Sequence, residues 1–256
     1  MKQILVPTDF SERAKCGVKS AVSLAGKSKG IIELLHVSKG QENQDLATAQ
    51  FRKWRSSGLF GDAEVFLSLG FGDLVSAIRG VSADVIVMGS HMMKGARSFF
   101  GSSNAERVSK RADCPVITVK CDTDLANVKN IVYPTDMRID QEELIGDIKA
   151  LQKFYGAKIS LVKIFDDTVN KHAAVEKRLK EFALQYALED YDLTALAYLN
   201  EREGILQYAH EIKADMIAMA THNRAGLDRL IGGYISGGVV KEGNMAIWTK
   251  VVTSPY

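Results

Sequence analysis

The sequence predicts an α/β protein built as two tandem domains, each a doubly wound, five-stranded parallel sheet. One observation is that the chain repeats itself. Lys2-Gln-Ile-Leu-Val-Pro-Thr-Asp9 returns as Lys129-Asn-Ile-Val-Tyr-Pro-Thr-Asp136, an offset of 127. Ala83-Asp-Val-Ile-Val-Met88 returns as Ala214-Asp-Met-Ile-Ala-Met219, an offset of 131 that also pairs His91 with His222, Gly95 with Gly226 and Lys110 with Lys241. A period near half of the 256 residues means two copies of one domain rather than a solenoid of short units. A second observation is that β-branched runs alternate with stretches of helical spacing, the pattern of a parallel sheet with crossover helices. The third is that the run at 84–88 is apolar without alternation, as a strand covered on both faces requires.

In order along the first copy, Ile4-Leu-Val6 is a strand ended by Pro7. Ala14, Val18, Ala21, Val22 and Ala25 then recur at helical spacing, with Ser11 placed to cap that helix. Residues 31–37 read as a strand, 45–55 as a helix, 63–69 as a strand and 73–80 as a helix. The strand at 84–88 leads through a long segment to a helix at 103–111 and a closing strand at 115–119. The second copy repeats the order, with a longer helical stretch at 168–189 and a strand at 193–198. The polar segment 121–128 separates domains expected over 1–122 and 128–256, each large enough for a core of its own.

Composition bounds the function. Hydrophobic residues at 46% and charged residues at 25% exclude a disordered or collagen-like chain. A formal charge of +2 is too near neutral to advertise a nucleic-acid partner. No run approaches the ~18 apolar residues of a membrane span, and the apolar stretch at 4–6 is too short for a signal-peptide core. Three cysteines, Cys16, Cys114 and Cys121, give an odd count without Cys-x-x-Cys, so neither a disulfide framework nor a zinc knuckle is expected. A cytoplasmic protein is the expectation.

In doubly wound sheets, ligands bind beyond the carboxyl ends of the strands. Pro7-Thr8-Asp9 follows the first strand there. The fourth is followed by Gly89-Ser-His-Met-Met-Lys-Gly-Ala-Arg-Ser-Phe-Phe-Gly-Ser-Ser103. That connection is long, Gly- and Ser-rich and runs into a helix, where backbone N–H groups suit an anion such as phosphate.

Pro7-Thr8-Asp9, the strand at 85–88 running into Gly89-Ser90-His91, and the ending from Glu106-Arg107-Val108 to Cys114-Pro115-Val116 resemble the universal stress protein family. The duplication resembles its tandem members over almost the whole chain. The resemblance implies a Rossmann-like, HUP-type fold and a stress-response adaptor or sensor. In nucleotide-binding members the loop reads Gly-x2-Gly-x9-Gly-Ser/Thr. The aspartate after the first strand then holds the ribose, and the end of the second strand lines the adenine. Carried over, this implies an adenine nucleotide such as ATP, with magnesium beside its phosphates, at Pro7, Thr8, Asp9, Val37 and Met88 through Gly89, Ser90 and His91. The far end of the loop adds Gly101, Ser102, Ser103 and Asn104. A weaker second site falls on Pro134, Thr135, Asp136, Ala220, His222, Asn223 and Gly233. The resemblance also implies that the two last strands, 116–120 and 247–251, pair antiparallel within the chain, which removes two exposed edges. A protein partner and a homodimer of chains fit the same role.

Both copies depart from the loop pattern. Met92 stands at the second glycine and Ser102 at the third, with Gly101 one residue early; in the second copy Ala220, Asn223 and Tyr234 replace the first glycine, the second glycine and the hydroxyl. A Met forced to positive φ costs about 1–2 kcal/mol, and ~1.4 kcal/mol is tenfold in affinity. The two losses in the first copy thus weaken binding by roughly 10- to 1000-fold.

Plainer readings stand beside these. Asp9, Asp136, Ser102 and Ser103 also fit as helix caps, Gly95 and Gly226 as turn glycines, and Met88, Met92 and Met93 as fillers of apolar space. Catalytic residues are not expected: there is no Gly-x-Ser-x-Gly elbow, His-Glu-x-x-His or Gly-x4-Gly-Lys-Ser/Thr. The alternatives to a nucleotide-dependent adaptor are a scaffold acting through protein or other small-ligand contacts and, more remotely, a slow ATP hydrolase.

Overall fold

A computed structural model describes residues 1–38, 40, 42–89, 104–137, 142–166, 172–221 and 245–252. The first half runs β1 (Gln3–Pro7), α1 (Glu12–Ser28), β2 (Ile31–Ser38), α2 (Glu42–Ser56), β3 (Val65–Phe71), α3 (Leu74–Arg79), β4 (Val85–Gly89), α4 (Asn104–Ser109) and β5 (Val116–Val119). The second runs β6 (Asn130–Pro134), α5 (Glu142–Tyr155), β7 (Lys158–Phe165), α6 (His172–Gln185), β8 (Tyr191–Ala197), α7 (Glu201–Glu211), β9 (Met216–Thr221) and β10 (Ala246–Val251). The helix expected at 168–189 is the shorter α6, and the strand expected at 193–198 starts two residues earlier.

All ten strands form one sheet in the order β3-β2-β1-β4-β5-β10-β9-β6-β7-β8. Within each half the pairing is parallel and the order is the same doubly wound one. The halves join where β5 and β10 run antiparallel, Ile117 opposite Trp248. Val85, Ile86 and Val87 are wholly buried, as the unbroken apolar run demanded. On one face a single core runs through both halves, from Val18 and Leu24 of α1 to Ile148 and Leu151 of α5. On the other face the cores are separate, one around Ile78, Ile86 and Val108, the other around Ile205, Ala209 and Ile217.

The segment between the halves is packed, with Thr123, Leu125 and Val128 buried. Ser20 Oγ donates to the Thr123 carbonyl at 2.8 Å, and the Ala126 N–H donates to Ser23 Oγ at 2.9 Å. Lys27 of α1 lies 5.8 and 5.7 Å from the ring centroids of Phe154 and Tyr155 of α5, within cation–π reach. The cysteine expectation is corrected here: Cys16 of α1 and Cys121 form a disulfide, with Cα atoms 4.6 Å apart across 105 residues. An odd count and the absence of a short motif say nothing about two cysteines that the fold alone brings together. Cys114 is free and half-buried; burial and the neighbouring Asp113 push its thiol to about 11.

Each copy repeats Asp84/Asp215 for a structural reason. Asp84 Oδ2 accepts the Lys2 and Gln3 N–H groups, and Asp215 Oδ2 accepts those of Lys129 and Asn130, at 2.8 and 3.0 Å. These bonds pin the entrance of β1 and β6 beside β4 and β9. Those of Asp84 hold its carboxyl below the usual range.

Candidate functional site

The chain turns sharply where β1 ends. The Thr8 N–H donates to the Leu35 carbonyl at 2.9 Å, and Thr8 Oγ1 accepts the Phe10 N–H at 3.0 Å. Phe10 sits at φ 58°, uncommon for a bulky side chain. Ser11 caps α1 by accepting the Ala14 N–H at 3.2 Å. The exposed Asp9 does not cap the helix itself: its Oδ1 accepts the Ser11 N–H at 3.0 Å and the Ser11 hydroxyl. One carboxylate is thereby fixed at the mouth of the turn.

Beside it lies a cleft of about 450 Å³ lined by Asp9, Phe10, His36, Val37, Ser38, Asn43, Leu46, Ala47 and Gln50. That volume is in the range of small-molecule sites. His36 Nδ1 lies 2.9 Å from the Thr8 carbonyl. A carbonyl only accepts, so Nδ1 carries the hydrogen of this bond. The Phe10 ring lies against His36 (centroids 5.5 Å) and edge-on to Trp54 (4.9 Å), which locks both cleft rings in place. The wall thus offers flat apolar surface with carboxylate, amide and imidazole at its rim.

Gly89 ends β4 against α1. A Cβ there would come within 2.0 Å of the Arg13 carbonyl oxygen, and one on Gly17 within 2.7 Å of the Gly89 N. The two glycines let helix and strand backbones touch, and this packing alone demands glycine at 89. Met88 is buried in the core under α3 and α4. Its side chain fills apolar space rather than lining the cleft. Asn104 opens α4 and is exposed. Arg107 of α4 is paired with Asp73, which caps α3 through the Val75 and Ser76 N–H groups. That pairing with Arg107 and the backbone bonds holds the Asp73 carboxyl below its ordinary value. Ser90, His91, Gly101, Ser102 and Ser103 lie outside the described residues.

The second half keeps the turn. Thr135 N–H donates to the Val162 carbonyl at 3.0 Å, Thr135 Oγ1 accepts the Met137 N–H at 3.0 Å, and Met137 has φ 60°. Pro134 ends β6 and Asp136 is exposed. The surroundings differ. Leu144 replaces Gly17, Ala220 replaces Gly89, and Lys163, 3.7 Å from Glu201, replaces His36. His222, Asn223 and Gly233 lie outside the described residues.

The model of the universal stress protein family matches residues 72–120 and 127–248. The chain belongs to that family. Among solved structures, a universal stress protein from Archaeoglobus fulgidus aligns with a TM-score of 0.71 at 18% identity, over 99% of this chain and 97% of that one. A universal stress protein described as putative, from Pseudomonas aeruginosa, aligns at 0.61 and 16% identity over 98% and 93%. A functionally unknown protein from the same species aligns at 0.59 and 15% identity over 98% and 92%. At these identities the likeness is one of fold. No curated protein matches the chain.

Of the positions singled out for this universal stress protein fold, the structure brings Asp9 and Val37 into one cleft beside Thr8. It leaves the Met88 side chain in the core. Phe10, His36, Asn43, Gln50 and Trp54 were not signalled by any motif. Strand alternation could have found His36, since it falls on the same face as Ile32 and Leu34. The other four depend on where α2 comes to rest. Among the described residues no three His, Cys, Asp or Glu gather as a metal site. A magnesium ion would therefore rest on Asp9, water and the oxygens of a bound phosphate. No helix among the described residues is long and apolar enough to cross a membrane.

Proposed function

We propose that this universal stress protein is a stress-response adaptor or sensor whose first half binds an adenine nucleotide. The observation that carries the reading is the cleft beside Asp9, opening at the carboxyl ends of β1 and β2 with two locked rings in its wall. A purine fits between Val37 and the Phe10–His36 surface, with Asn43 and Gln50 amides within the same wall. Asp9 offers its carboxylate to ribose hydroxyls. The phosphates then run toward Gly89 and the segment ending at Asn104. Magnesium, when bound, would neutralise phosphate charge; Asp9 is the residue that would share it. Occupancy would alter a contact with a protein partner.

A second reading rests on a specific observation. The second half replaces Gly17, Gly89 and His36 by Leu144, Ala220 and Lys163, so that half is a scaffold for protein contacts.

Calorimetry of the intact chain with ATP and magnesium tests the proposal. Binding at micromolar to submillimolar ATP that falls at least tenfold in Asp9→Ala is the expected result. The same affinity in Asp9→Ala, or no heat at millimolar ATP, overturns it and leaves the scaffold.

A further inference from the structure

The ten-stranded sheet ends in β3 on one side and β8 on the other, and the two edges are managed differently. β8 carries exposed Asp192, 2.6 Å from Lys158, and α6 packs along it through Phe182 and Ala183, which share a core with Ala195. β3 has no charged residue, and Phe66, Leu69 and Phe71 are 41%, 38% and 57% exposed. An uncharged apolar edge is a template for another strand.

The hydrogen-bond phase of β3 sets which residues face outward. Ile32 N–H donates to the Glu64 carbonyl and Gly72 N–H to the Ser38 carbonyl, so even-numbered residues from 64 to 72 bond β2. Odd-numbered residues turn their N–H and C=O groups to the open side. Val65 already gives its carbonyl to the Arg55 guanidinium. That leaves Leu67, Leu69 and Phe71, and no hydrogen bond from a described residue reaches their outward groups. Three residues spaced by two, centred on Leu69, are their own antiparallel complement.

We propose that β3 pairs antiparallel with β3 of a second copy of this chain, about a two-fold axis at Leu69. In that register Leu67 faces Phe71 and Leu69 faces Leu69, each in hydrogen-bonded positions that together use both outward groups of all three residues. On the other face Ser68 meets Gly70, and Phe66 lies over Gly72. The apolar pairs meet on one face of the ladder, and the glycines accept the ring on the other. It is the same solution that β5 and β10 adopt inside the chain. The contact is isologous and consumes β3 in both copies, so it closes at a dimer.

Sedimentation equilibrium of the intact chain reads the dimer, and crosslinking reads its register. A monomer–dimer equilibrium in the micromolar range is expected, abolished in Leu69→Lys with an unchanged circular dichroism spectrum. In a Cys114→Ser background, Leu69→Cys is expected to form a linked dimer on mild oxidation. Its Cα atoms would lie about 5.5 Å apart across the axis, within disulfide reach. Phe66→Cys, facing Gly72, is expected not to link. A monomer at every attainable concentration, assemblies larger than a dimer, a dimer indifferent to Leu69→Lys, or equal linking by Phe66→Cys would each overturn the proposal.

Discussion

The two halves repeat one pattern, and what they share and do not share separates the fold from the site. Both kept the aspartate that pins the first strand, Asp84 and Asp215, and both kept the Thr8 and Thr135 turns with the second residue on, Phe10 or Met137, at positive φ. These are backbone constraints that any version of the fold must meet. What differs is the layer around the pocket. The first half has touching backbones at Gly17 and Gly89, an imidazole anchored to Thr8 and a disulfide at Cys16. The second has Leu144, Ala220, Lys163 and, at the position of Cys16, Glu143, 3.0 Å from Lys250. Conserving a fold and conserving a pocket are thus separable demands on one chain.

The largest difference should lie in the covalent staple. Reducing Cys16–Cys121, or Cys16→Ser, removes a cross-link spanning 105 residues. It should cost about 4 kcal/mol of unfolding free energy in urea. Glu143→Ala, at the matching place, should cost at most ~1 kcal/mol because Glu143 itself is exposed and Lys250 keeps Asp147 as a partner. Equal costs would mean that the disulfide does not constrain the chain.

Next, Gly89→Ala should destabilise by about 3 kcal/mol, since a Cβ 2.0 Å from the Arg13 carbonyl must push α1 away. The reciprocal Ala220→Gly should cost only about 1 kcal/mol, through chain entropy. Urea midpoints decide it; equal losses would mean that α1 is as loosely seated as α5.

Importing Lys163 into the first half as His36→Lys removes the bond to the Thr8 carbonyl. That should cost about 1 kcal/mol and, on the proposed function, roughly tenfold in nucleotide affinity. Thermal melts and calorimetry read the two effects separately.

The smallest effect is one of pH. Asp73 caps α3 and meets Arg107, whereas its counterpart Asn200 caps α7 without charge, accepting the Glu203 N–H at 3.3 Å. The folded-state carboxyl of Asp73 titrates below its ordinary value of 3.8. Its stabilisation is therefore present above about pH 4 and lost as pH falls through the lower folded value. The advantage of wild type over Asp73→Asn should shrink between roughly pH 5 and 3. A gap that stays constant over that range would remove Arg107–Asp73 as an electrostatic clamp.

The order of strands and helices was legible because backbone geometry imposes periods of two and 3.6 on buried residues, and duplication displayed those periods twice. Ser11 as a cap was legible for the same local reason, whereas Asp9, which also read as a cap, instead accepts from Ser11. Val37 was expected at a ligand site by resemblance, and the structure sets it in the wall of the cleft. Phe10 and Trp54 were not legible, because their contact joins the start of α1 to the end of α2. The role of Met88 was readable only as a choice between core and pocket, which the pleat of β4 decides.

The sequence by itself determined that there are two copies, that each is a parallel α/β layer, and where each strand releases the chain at its carboxyl end. The tertiary structure decided that Cys16 meets Cys121, that Gly17 and Gly89 bring two backbones into contact, that β3 ends the sheet, and which side chains wall the cleft. The division has one physical cause. Periodicity and capping act within a few residues, whereas disulfides, backbone contacts and pocket walls join residues whose nearness exists only once hydrophobic burial has fixed the packing of helix on sheet.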